Sequence, residues 1–158
     1  MPRIIGVFYT RLRRNIGKET LSPSGEGTAG KPSFRRRNGG IGMTSLELAK
    51  EASKFLNEKN ALELKIVKIE EISSLADYFV FATGTSNTHV NALADEVEMQ
   101  LKKIGIMPDH IEGYRSNSWV LLDYGTVIVH VFTPDSREFY DLDRLWQDGQ
   151  LVDTSFLN

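Results

Sequence analysis

From residue 43 onward the chain alternates between the helical and the strand period. Leu48, Ala52, Phe55 and Leu56 fall on one stripe and predict a helix over about Ser45–Glu58, opened by a capping box at Thr44-Ser45-Leu46-Glu47. Leu64 and Ile66 set against Lys65 predict a strand over Leu64–Ile69. Tyr78–Thr83 is a continuous apolar run, which suits a central strand covered on both faces. Gly84-Thr85-Ser86-Asn87 then turns the chain into a second helix, about Thr88–Ile104. Its stripe is Val90, Leu93, Ala94, Val97, Leu101 and Ile104, and Gly105 is its stop.

Trp119–Phe132, WVLLDYGTVIVHVF, reads as two short strands joined around Asp123-Tyr124-Gly125. Alternation puts Trp119, Leu121 and Asp123 on one face and Val120 and Leu122 on the other. In the second strand Val127, Val129 and Val131 oppose Ile128, His130 and Phe132. The Val/Leu side is ordinary core. The other side mixes large apolar groups with a carboxylate and an imidazole, so it calls for a cover, either another element or a partner. On that side His130 is placed to pair with Asp123 across the strands, as a structural hydrogen bond or as part of a partner contact.

A short strand is expected within Ile106–Glu112. Pro134 ends the strand pair, and Asp135-Ser136-Arg137-Glu138 resembles the capping box of a third helix with Phe139, Leu142, Leu145 and Trp146 facing inward. The tail after Gln147 is expected to fray. These elements predict a single α/β (α+β-like) domain, a mixed β-sheet with helices packed on it. The order is αββαβββα, with one right-handed crossover through the second helix.

Charge divides the chain in two. Residues 1–42 carry nine Lys/Arg and two Glu, net +7, whereas residues 43–158 carry ten Lys/Arg and nineteen Asp/Glu, net −9. The leader is rich in Gly and Pro and lacks a sustained apolar period, so disorder is expected over residues 1–42. Three readings of it stand open: translation upstream of a true start at Met43, an organelle transit peptide, or a basic arm for RNA. The domain itself spans residues 43–147, with residues 148–158 as its tail. At −9 the folded part repels a phosphate backbone, so direct nucleic-acid binding by it is disfavoured and a basic protein partner is favoured.

Catalytic and metal chemistry find little support. There are no cysteines, and His89, His110 and His130 form no pair at metal-ligand spacing. No run reaches the roughly 18 apolar residues of a membrane span. The Thr83–Asn87 turn lies where phosphate-binding turns occur, yet lacks both the Walker lysine and GxGxxG, so capping outweighs nucleotide binding there. Asp141 and Asp143 are expected as solvated charge. Neither a catalytic residue nor a cofactor is expected.

Several segments, taken in register, resemble the ribosomal silencing factor (Iojap-like) family. They are Ser73-Ser74-Leu75-Ala76-Asp77-Tyr78-Phe79-Val80, Ala82-Thr83-Gly84-Thr85-Ser86 and Glu112-Gly113. Trp119 through Gly125, Val129-His130-Val131-Phe132, Arg137-Glu138-Phe139-Tyr140 and Leu145-Trp146 continue the match, over about Thr44–Trp146. Lys68 and Thr126 depart from the Asp that many relatives carry.

The resemblance implies a nucleotidyltransferase-like fold without enzymatic chemistry. It also implies binding to the fourteenth protein of the large ribosomal subunit and a steric block to joining of the small subunit. That would repress translation in the cytoplasm of a bacterium. Organelle relatives act in ribosome assembly, and isolated members are often dimeric. Carried onto this chain, the partner-binding residues implied are Trp119, Asp123, Tyr124, His130 and Tyr140. Trp119 leads them, so its replacement by Ala is expected to spare folding and weaken large-subunit binding. A nucleotide-binding or nucleotidyltransferase enzyme using the Thr83–Asn87 turn is the competing expectation.

Overall fold

Thr44 starts the first helix as the capping box requires. Its side chain accepts from the Glu47 backbone N–H at 3.1 Å while the Glu47 carboxylate accepts from the Thr44 N–H at 2.8 Å. The computed structural model describes residues 42–114 and 118–158, so the expected disorder of residues 1–42 falls almost wholly outside the described residues. Helix α1 spans Ser45–Glu58, followed by strands β1 (Leu62–Lys68) and β2 (Tyr78–Thr83) and helix α2 (Asn87–Lys103). Strands β3 (His110–Glu112), β4 (Trp119–Asp123) and β5 (Val127–Phe132) come next. Helices α3 (Pro134–Tyr140) and α4 (Leu142–Leu145), strand β6 (Gln150–Leu151) and a final 3₁₀ turn, Ser155–Leu157, complete the chain.

The six strands form one mixed sheet in the order β3-β4-β5-β2-β1-β6. All neighbours run antiparallel except β2 and β5, which pair in parallel from Tyr78↔Val127 to Thr83↔Phe132. The expected crossover through α2 therefore does not lead to a neighbouring strand: α2 carries the chain past β5 and β4 to the edge, and β4 and β5 return inward. Every residue of β2 is buried, as its unbroken apolar run requires of a strand covered on both faces.

Each face has its own core. On one, α1 and α2 pack Leu48, Ala52, Leu56, Leu93 and Val97 against Val80, Val120, Leu122, Val129 and Val131. Burying side chains of this size contributes about 1.5–3 kcal/mol each. Helix α2 ends in a Schellman motif: Ile106 N–H reaches Leu101 C=O at 2.9 Å and Gly105 N–H reaches Lys102 C=O at 3.0 Å. Gly105 takes φ +84, which its missing side chain permits. Ile104, expected on the buried stripe, is the half-open capping residue instead.

The C-terminal third departs most from the sequence pattern. Thr133, not Asp135, caps α3; its side chain accepts from Ser136 N–H at 3.3 Å, with Pro134 in the first turn where a missing N–H costs nothing. Asp141 then adopts φ +51 and breaks the expected single helix into α3 and α4. A stripe spaced for one helix fails across that break, so Phe139 is 72% exposed while Leu142 and Trp146 turn inward. The tail does not fray: β6 pairs with β1 through Val67↔Leu151 and Lys68↔Gln150. Those pairings fix the end of the chain to the sheet edge.

Candidate functional site

The second face of the sheet bears the motif residues, and α3 and α4 cover it. Direct cross-strand partners share a face, and the register Trp119↔Phe132, Leu121↔His130, Asp123↔Ile128 groups them as alternation predicts. Beneath Tyr140, Leu142 and Trp146 this face forms a layer of rings. Trp119 stacks on Phe132 at 5.2 Å and meets Tyr140 at 4.4 Å; Phe79 meets His130 and Trp146 edge-on at 4.9 Å each. The cover for which the sequence called is thus the chain's own C-terminal helices.

That arrangement corrects the roles expected of the motif residues. Trp119, Tyr124 and His130 are fully buried and Tyr140 nearly so, so the sheet face is not an open docking surface. Trp119→Ala would excavate the core rather than spare the fold. Asp123 is not the cross-strand partner of His130: the register sets it opposite Ile128, two pairs further along. Its carboxylate accepts from Gly125 N–H at 2.7 Å and lies 3.5 Å from His110 Nε2, so it shapes the β4–β5 turn and the sheet edge. Tyr124 belongs to the first core, where burial raises its pKa, helped by the Glu98 carboxylate. His130 instead accepts the Trp119 indole N–H on Nδ1 at 3.2 Å. Burial pushes its pKa down to about 3; the Asp143 charge opposes the shift and Arg137 assists it.

Polar groups of the Thr83–Asn87 turn serve the helix cap, the strand and the Arg137 network. Ser86 Oγ accepts from His89 N–H at 3.1 Å, and Thr85 N–H donates to His89 Nδ1 at 2.9 Å. Gly84 N–H donates to Phe132 C=O at 2.8 Å. A Cβ on Gly84 would meet the Val90 backbone nitrogen at 2.9 Å, so close packing of strand on helix accounts for the glycine. Among the described residues no three His, Asp or Glu side chains are grouped to hold a metal ion. No described helix is long and apolar enough to cross a membrane.

A cleft of about 610 Å³ opens beyond the carboxyl ends of the parallel strands β2 and β5. Pro134, Arg137 and Glu138 line it from α3 and Asp141 from the break that follows, joined by Glu63, Leu64 and Lys65 of β1, Thr83 of β2 and Asp143 of α4. Arg137, 8% exposed, closes its floor. It grips Asp143 with both prongs, Nε at 3.1 Å and Nη2 at 3.0 Å, while Nη1 donates to Glu63 C=O at 2.7 Å and Thr83 Oγ1 at 2.9 Å. Lys65 adds an ion pair to Asp143 at 2.7 Å. Burial works against the charge on Asp143, but hydrogen bonds from Arg137 and Lys65 prevail and hold its pKa below the usual value.

Asp143 is therefore an anchor rather than solvated charge. The sequence did not display this, because its partners lie 6 and 78 residues away. Arg137 was part of the recognised motif, but its role depends on the helix break that brings Asp143 back to it.

Residues 43–158 match the family model described as ribosomal silencing factor during starvation. The ribosomal silencing factor RsfS of Bacillus subtilis is 38% identical over 114 residues, 72% of this chain and 97% of the relative. The chain belongs to the ribosomal silencing factor family. RsfS of Chromobacterium violaceum is 41% identical over 63% of this chain and 80% of its own. A crystal structure of a Chromobacterium violaceum protein superimposes with a TM-score of 0.65 at 35% identity, covering 72% of this chain and 93% of that one. Mixed α/β architecture and family membership thus agree.

Proposed function

We propose that this protein binds the fourteenth protein of the large ribosomal subunit on the face that meets the small subunit, and represses translation by denying the small subunit that surface. The observation that carries this reading is the family match over residues 43–158, which takes in both ring layer and cleft. A domain at net −9 suits a basic ribosomal protein, since complementary charge speeds encounter and fixes orientation. The mechanism is occupancy, which requires a rigid body and no reacting group. An aliphatic core on one face, a ring-rich core on the other and a C-terminus paired to the sheet supply such a body.

Of the five implied partner-binding residues, Asp123 and Tyr140 are proposed to act near the surface. Trp119, Tyr124 and His130 act by holding the shape. Action as a monomer or a dimer, and in a bacterial cytoplasm or an organelle, belongs to the same proposal. The nucleotidyltransferase reading is not favoured, since the Gly84 N–H is used by Phe132 C=O, the Thr85 N–H by His89 Nδ1, and Ser86 Oγ caps the helix.

Sedimentation of the purified full chain with separated ribosomal subunits tests the proposal. Comigration with large subunits and loss of their reassociation with small subunits is the expected result. Failure of both would overturn it.

A further inference from the structure

The outer side of α3 and the adjoining cleft carry a combination that the buried motif residues do not explain. Phe139 is the most exposed of the described large apolar side chains, at 72%, and it follows Glu138, which lines the cleft. Leu62, 47% exposed, precedes Glu63 on the opposite wall, opposite Thr83 in the β1–β2 register. Two exposed apolar residues are thus the chain neighbours of acidic residues that line the opening.

The charges inside that opening are unbalanced. Four carboxylates line it, from Glu63, Glu138, Asp141 and Asp143, against two cations, Lys65 and Arg137. Both cations are committed to Asp143. Glu63 is 70% exposed and approaches Arg137 only at 3.9 Å, and among the described residues Glu138 and Asp141 enter no ion pair. The net negative lining repels phosphate and other anions. A long cationic side chain fits, since its aliphatic stem can lie on Phe139 or Leu62 while its head meets the carboxylates.

We infer that this cleft and Phe139 form the seat for an arginine- or lysine-bearing segment of the protein partner, with Phe139 as the apolar anchor. The inference rests on the proposed binding to a large-subunit protein and names the surface that would perform it. That surface lies outside the ring layer, although Glu138 and Phe139 belong to the same family segment as the buried Tyr140. Charge complementarity selects the occupant: the domain is at −9, and the unmatched carboxylates gather beside its most exposed aromatic ring.

The test is cosedimentation of the full chain with purified large ribosomal subunits, with thermal unfolding followed in parallel. Phe139→Ala and Glu138→Lys are each expected to weaken binding about tenfold, as for an anchor and for a charge beside it, with unfolding unchanged. Asp141→Asn, which keeps a residue tolerant of positive φ, is expected to weaken it about threefold. The reversal Glu51→Lys, on α1 across the sheet, should leave binding unchanged. Binding of the unaltered chain together with undiminished binding of all three cleft variants would overturn the inference and leave the proposed function standing. No binding by the unaltered chain would instead remove the proposed function. Should Glu138→Lys weaken binding of the parent chain but have no effect once Arg35–Arg37 are replaced by Gln, the cleft would hold the chain's own leader, and an external occupant would be overturned.

Discussion

Trp119 donates its indole N–H to Nδ1 of His130 at 3.2 Å, from a diagonal position on the neighbouring strand. Accepting that bond places the imidazole proton on Nε2 and keeps the ring neutral. One hydrogen bond thus joins the two most distinctive motif residues and fixes a tautomer inside the ring layer.

Trp119→Ala is expected to cost about 3–5 kcal/mol of stability, since it removes a fully buried indole from that layer and leaves a cavity. Trp119→Phe should cost less, about 1–3 kcal/mol, chiefly by leaving His130 Nδ1 without its donor. Urea unfolding separates the two. A Trp119→Ala chain as stable as the parent would show that the indole is dispensable to the core.

His130 gives the fold an acid dependence with a definite sign. Its folded pKa, about 3, lies below its ordinary 6.5, so the unfolded chain takes up the proton first. Stability from this group is complete above about pH 6.5 and declines as pH falls toward 3, by at most about 1.4 kcal/mol per pH unit. His130→Gln keeps an acceptor and removes the titration. Its unfolding midpoint, measured between pH 7 and 4, should fall less steeply than the parent's, by about one proton.

Asp143→Ala strips Arg137 of its two-pronged partner while the guanidinium stays 8% exposed and 5.9 Å over the Phe81 ring. A loss of about 3 kcal/mol is expected, as for breaking a largely buried ion pair from one side. Comparing Asp143→Ala, Arg137→Met and the double variant by chemical unfolding checks this, and strictly additive losses would contradict the coupling.

Tyr124→Phe should leave stability unchanged or raise it by up to about 1 kcal/mol. Its hydroxyl is buried and, among the described residues, has no hydrogen-bond partner, so deleting it removes a desolvation cost. Large-subunit binding should be unchanged as well. A loss of binding with intact folding would return Tyr124 to the contact surface.

The sequence alone determined the local elements and the faces. Periodicity located α1, β2, β4 and β5, the capping box at Thr44 predicted the first turn, and alternation divided Trp119, His130 and Phe132 from Val120, Val129 and Val131. These follow from backbone geometry and nearest-neighbour hydrogen bonds, which act over a few residues. Motif order also sufficed for the family. Tertiary structure alone decided what covers the ring face and which charges meet. The left-handed turn at Asp141 splits the last helix, turns Trp146 inward and Phe139 outward, and brings Asp143 onto Arg137 and Lys65. Contacts across 78 residues leave no period in the sequence, because closing the chain selects them only once the sheet has assembled.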